Sequence, residues 1–279
     1  MSAAEEVGGA QQQATRRLIR VFGPPGTGKT TTLAERVKAD VRRLGPESTL
    51  IASFTNTAAH EIGSRGLGLA KGYCGTLHSH AYRVCGHPAV ALDTKVIDDW
   101  NSSAPGDWTI TGASKTGGLS STDKATSGAR ATTPDQAVTG DELLAALDLL
   151  RARAVPPGEW PSNVRAFAKR WTAWKDSVGD CMDFSDMIVG AYRRARDGEG
   201  PPGNPQRLIL DEAQDCTPIE IALALEWAQH VDTAVFAFDD DQAINQWRGG
   251  DPTRLLDLVD GPAPGDAVVS TEVLAQSYR

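Results

Sequence analysis

The stretch GPPGTGKT at residues 23–30 constrains this chain more than any other part of it. It follows the apolar run LIRVF (18–22) and leads into a helical pattern over about 29–43. A strand that turns on glycines directly into a helix converges backbone N–H groups at a helix N-terminus, where the dipole favours an anion. Every fixed position of G-x-x-x-x-G-K-[ST] is filled, in the strand–helix context that the chemistry requires. Gly23, Pro24, Pro25, Gly26, Thr27 and Gly28 are the expected cradle of a nucleoside triphosphate, with Thr31 in the first helical turn. Lys29 is expected to reach the β- and γ-phosphates, and the Thr30 hydroxyl to ligate Mg²⁺.

Such a loop needs a parallel sheet behind it, and the rest of the chain supplies the pattern. Residues 49–54 form a second apolar run, with a helix expected from about 56. The run at 207–210 leads into Asp211-Glu212, a helix is expected over about 217–229, and 233–238 reads as a buried strand. This βαβ rhythm predicts an α/β fold with helices on both faces of the sheet. Between the two α/β parts, helical patterns recur at about 141–153, 162–177 and 184–197, and Trp171 and Trp174 share a face that predicts core. Residues 101–140 are rich in Ser, Thr, Gly and Ala and predict a mobile loop. The expected organisation is one α/β domain from 1–92 and 205–279, interrupted by a mainly helical insertion at 93–204.

A carboxylate at the C-terminal end of a parallel strand, beside a phosphate loop, can hold Mg²⁺ through water, which is the role expected of Asp211. Glu212 is then placed to orient or deprotonate an attacking water. Together the loop and the acidic strand end predict nucleoside triphosphate hydrolysis.

Composition excludes several classes. No apolar run approaches the roughly 20 residues of a membrane helix, and the acidic start MSAAEEVGGA has no hydrophobic stretch of a secretory leader. The cysteines at 74, 85, 181 and 216 make no CxxC pair, which fits reduced thiols in a cytoplasm, and 20 arginines against 8 lysines with abundant Ala and Gly point to a bacterial or phage-infected cell. The net charge of −8 argues against nucleic acid at first sight. However, residues 1–92 carry 11 Lys+Arg against 6 Asp+Glu, so a locally basic groove remains open. Cys74, His78, His80, Cys85 and His87 crowd together, but their spacing fits no standard zinc finger.

From DEAQD (211–215) outward, the chain resembles the UvrD/Rep-like superfamily 1 DNA helicases. SFTNTAAHEI (53–62) is similar to the family's TFTNKAAxEM, GTLHS (75–79) to GTFHS, and DFSDMI (183–188) to DFDDLL. DDDQAINQWRGG (239–250) is similar to DDDQSIYGWRGA, and LAQSYR (274–279) to LxQNYR. The motifs stand in the family's order and cover both α/β parts; the 93–180 region matches by position alone.

The resemblance implies a RecA-like P-loop NTPase sheet with an inserted helical subdomain, and an ATP-dependent, Mg²⁺-using motor on single-stranded DNA that travels 3′ to 5′, with roles in replication or repair. It implies that Gln242 senses the γ-phosphate, that Tyr278 stacks on adenine and that Arg279 reaches the γ-phosphate. It further implies that Phe54, Thr55, Asn56, Thr76, His78, Trp247 and Arg248 line the DNA path. An aromatic such as Trp247 can stack on any base, which grips a strand without reading its sequence. The chain departs from the family at Thr57, where Lys is usual, at Asn245 for Tyr and at Phe238 for Gly. Gln11, Gln12 and Gln13 stand closer to the first strand than the family's adenine-reading glutamine. The family's second RecA-like domain begins where this chain ends, at Arg279. The expectation is therefore half a motor: a fragment, a split gene product, or a chain completed by a partner. The alternative is a nucleotide- or DNA-binding module that needs such a partner for turnover.

Overall fold

The computed structural model describes residues 15–24, 26–111, 139–239, 251, 253–263 and 267–274. Strand β1 (Arg16–Phe22) passes through the glycine loop into α1 (Lys29–Leu44), followed by β2 (Thr49–Ser53), α2 (Asn56–Gly63), β3 (Cys74–Thr76) and α3 (Leu77–Val84). The chain then leaves through β4 (Ala89–Val90) into α4 (Thr94–Ser103), α5 (Gly140–Ala152) and α6 (Ser162–Val178), and returns through β5 (Cys181–Met182) to α7 (Phe184–Arg196). It finishes with β6 (Arg207–Asp211), α8 (Pro218–Ala228), β7 (Thr233–Phe238), α9 (Thr253–Leu256), β8 (Gly261–Ala263) and β9 (Ala267–Val273).

The main sheet has the order β3-β2-β6-β7-β1-β9-β8, parallel throughout except for the β8–β9 edge. Its strands are apolar on both sides, as a sheet covered by helices on both faces requires. Alternate residues sort between two cores. Leu50, Leu208, Leu210, Ala234, Phe236 and Phe238 face the core shared with α3, α7 and α8. Ile19, Val21, Ile51, Ile209, Val235 and Ala237 face the core shared with α1 and α2. Helix α1 presents Leu33, Ala34 and Val37 to that core on one stripe and places Arg42 and Arg43 in its last turn, where the dipole favours cations.

The insertion has a core of its own, in which Trp100, Phe167, Trp171 and Trp174 interlock. Trp100 meets Trp171 edge-on at 4.9 Å, and Trp171 stacks on Trp174 at 4.8 Å. Two features mark the borders of this region. Helix α7, read from sequence as part of 93–204, packs against the sheet, because Met187, Ile188, Ala191 and Ala195 join the core with α3 and α8. The stretch 101–140 begins with ordered chain: Asn101 exchanges two hydrogen bonds with the Ile110 backbone, and the Trp100 indole donates to the Trp108 carbonyl at 3.0 Å. Residues 112–138 of that stretch lie outside the described residues.

A short parallel ladder, Ala89 opposite Cys181 and Val90 opposite Met182, forms the neck through which the chain leaves and re-enters. Beside it Asp183 caps α7 in a reciprocal box with Asp186. Asp183 also receives Lys175 at 2.6 Å, Arg151 at 3.1 Å and the Trp171 indole at 2.8 Å, which ties α5, α6 and α7 together.

Candidate nucleotide site and nucleic-acid path

The sheet order places β7 between β1 and β6, so the glycine loop, Asp239 and the Asp211-Glu212 pair emerge side by side at the C-terminal edge. In the loop, Gly26 and Gly28 stand at φ 80° and 82°, a region that side chains with a Cβ rarely adopt. Thr27 closes the turn by donating its N–H and its hydroxyl to the Pro24 carbonyl at 3.3 and 2.8 Å. Gly28 caps α1 without any side-chain acceptor, and the first turn of α1 carries no acidic residue. The N–H groups at that end are thus left to an external anion.

Lys29 folds back onto the Gly23 carbonyl and ion-pairs with the buried Asp239 carboxylate at 3.6 Å. Thr30 is half-buried in the first turn of α1, and Thr31 is exposed and accepts from Arg65 at 3.0 Å. Phe238, which stands where the family has Gly, is fully buried, with its ring 4.1 Å from that of Phe22 on the adjacent strand.

Asp211 ends β6 opposite Ser53 of β2. Its carboxyl is pushed up to about 7, first by burial and then by the neighbouring Glu212 charge, against the pull of the Glu212 N–H and of Lys29. Both loads are relieved by a bound cation, and hard carboxylate and hydroxyl oxygens are what Mg²⁺ takes. The Ser53 hydroxyl is also buried and without a hydrogen-bond partner among the described residues. This donor set fits Mg²⁺. Glu212 is held in the left-handed region at φ 56° and ψ 42°, a conformation that costs a non-glycine residue about 1–3 kcal/mol and clusters at functional sites.

Sequence reasoning missed two residues that organise this edge. Gln214, in a 3-10 turn at Ala213–Asp215, donates to the Glu212 carboxylate at 2.5 Å and accepts the Asp239 N–H at 3.2 Å. Asp239 was legible only as the first acid of a triplet; its pairing with Lys29 depends on β7 lying beside β1.

The residues expected along a DNA path divide into several situations. Phe54 and Asn56 lie at the start of α2, half-buried and exposed respectively. The Thr55 and Thr76 hydroxyls cap α2 and α3, accepting from Ala58 and Ser79 at 3.1 Å each. Thr76 is buried as well, with its hydroxyl committed to the cap. The His78 imidazole turns toward α8, with Nδ1 3.4 Å from the Glu220 carboxylate and its ring edge-on to Phe184. What β2 and β3 present at this edge is a pair of neighbouring helix N-termini. Pro25, Gln242, Trp247, Arg248, Tyr278 and Arg279 lie outside the described residues.

Among the described residues no helix is long and apolar enough to cross a membrane. A search of curated proteins returned no match. The family model described as UvrD/REP helicase N-terminal domain matches residues 8–261. With its covered, mainly parallel sheet and its glycine loop at the β1–α1 junction, the chain has the RecA-like α/β fold and belongs to the UvrD/REP helicase N-terminal domain family.

Proposed function

We propose that this chain is the ATP-binding and ATP-hydrolysing part of a DNA motor that moves 3′ to 5′ along single-stranded DNA. The observation that carries the reading is the convergence of the uncapped α1 N-terminus, Lys29, Asp211 and Glu212 on one edge of three adjacent parallel strands. Triphosphate binding draws Lys29 from the Gly23 carbonyl and Asp239 onto phosphate oxygens. Thr30 and Asp211 would hold Mg²⁺, which supplies charge neutralisation on the transferring phosphoryl group. One hydroxyl and one carboxylate, completed by water and phosphate oxygens, suit a Mg²⁺ ion that keeps several waters. Glu212 accepts the proton of the attacking water as the β–γ bridging P–O bond breaks, and ADP leaves.

For DNA, the N-termini of α2 and α3 offer backbone N–H groups to phosphates, and Phe54 and Asn56 flank them. Thr55 and Thr76 contribute by setting these caps, with Trp247 and Arg248 assigned to the same path by resemblance. Gln242, Tyr278 and Arg279 are assigned to nucleotide sensing on the same ground. The unit is proposed as an α/β body carrying a helical insertion, with a second RecA-like lobe, in the same or a partner chain, supplying the opposite wall of the cleft.

The test is steady-state ATP hydrolysis with and without single-stranded DNA. Lys29→Ala is expected to lower DNA-stimulated turnover by about 10²–10³-fold. Hydrolysis indifferent to both DNA and Lys29 would sink the reading.

A further inference from the structure

Gln214 is about 2% exposed, and a buried carboxamide must satisfy both of its ends. The chemistry of its partners settles its orientation: the Asp239 N–H can only be accepted by Oε1, and the Glu212 carboxylate can only receive from Nε2. The Asp239 carboxylate in turn faces Lys29 at 3.6 Å. A continuous polar chain therefore runs from the lysine of the phosphate loop, across the end of β7, to the acid that follows β6. Glu212 sits in a strained left-handed backbone, so its direction depends on what holds its side chain. Gln214 does this while anchored to the end of the strand between the loop and the acid.

We propose that Gln214 is a positioning residue for hydrolysis, aiming the Glu212 carboxylate through its Nε2–H and referencing that aim to the β7 terminus through its Oε1. Exchange of Lys29 between Asp239 and a phosphate is then felt at the far end of the same chain of contacts. The inference rests on the reading of Glu212 as the proton acceptor.

The closing experiment compares Gln214→Met, Gln214→Asn and Gln214→Glu in the full chain with saturating single-stranded DNA, beside wild type and Lys29→Ala. Binding of a fluorescent ATP analogue and thermal melting are measured in parallel. Gln214→Met removes both bonds, and Gln214→Asn shortens the reach. Gln214→Glu keeps the shape and the acceptor for Asp239 but loses the donor to Glu212. The expected result is a KM and analogue affinity close to wild type with kcat lowered about 10–100-fold in each variant, as for other supporting residues around a reactive group. Wild-type kcat in Gln214→Glu or Gln214→Met, or a loss confined to KM, overturns the inference while leaving the nucleotide site intact. Should one variant fail to fold, the other two decide. Analogue binding unaffected by Lys29→Ala overturns the nucleotide reading itself. Nucleotide bound through Lys29 but never hydrolysed by wild type overturns the inference, since no hydrolytic step would remain for Gln214 to serve.

Discussion

His80 lies inside α3 with its Nε2–H donated to the Ile51 carbonyl at 2.8 Å, while Nδ1 has no partner among the described residues. Burial pushes its pKa down to about 4, against the upward pull of the Ile51 carbonyl and with a further push from the Arg83 charge. The folded state therefore binds fewer protons than the unfolded state between pH 6.5 and 4, and stability falls as the pH drops through that window. Full acidification across it costs about 3 kcal/mol at this site. His80→Gln, which keeps a donor, is expected to flatten that part of a denaturation-versus-pH series; an unchanged slope would mean that the acid sensitivity arises elsewhere. The residues crowded around His80 in sequence are dispersed in space by the helix. His78 turns to Glu220, His87 meets the Tyr82 ring edge-on, and Cys85 is buried. Spacing in the sequence groups these side chains, and the rotation of α3 separates them.

At the scale of elements, the junction of α5, α6 and α7 hangs on Asp183. Burial alone would raise its pKa, but Lys175 and Arg151 outweigh burial and hold the carboxyl well below the usual range. Lys175 is itself buried, so each charge is tolerable only with the other. Lys175→Met is expected to destabilise the chain by about 3–5 kcal/mol, because it leaves a buried carboxylate short of its partner. Urea titration measures this, and a loss below about 1 kcal/mol would place the pair with surface ion pairs instead. The long elements were legible in sequence to within a residue or two: β2, α1, α5, α6, α7, α8 and β7 all carry clear apolar periods. The three-residue β3 and β8, at the two edges of the sheet, were not, since a period cannot be read from so short a run, and β9, which lies between β1 and β8, was missed with them. The tie between Gln214 and Asp239 was invisible for another reason. These residues are 25 apart in sequence, and they meet only because β6 and β7 are neighbours in the sheet.

At the scale of the whole molecule, the sheet's two cores and the tryptophan-rich core of the insertion are separate clusters. Separately packed units open separately. Hydrogen exchange followed by mass spectrometry is expected to show α4–α6 opening at a lower free energy than β1, β6 and β7. A single opening free energy shared by both regions would mean one cooperative body. The fold class and the main ingredients of the candidate site, Lys29, Asp211 and Glu212, could be read from two short motifs, because both motifs sit on strand ends that a parallel sheet must bring to one edge. The supporting layer around them depends on strand order, which local sequence does not state.

The neck at β4 and β5 bears on how such a chain can change over time. Ala89 and Cys181 are register partners, so the excursion between them starts and ends at adjacent strands, about 4.8 Å apart. The body places two demands on what hangs beyond the neck: its ends come back together, and it returns Arg151 and Lys175 to Asp183 at the start of α7. Away from those contacts, length and composition on the far side are free to drift. The insertion is in this sense a graft on a stump, and the stump is where a designer would cut.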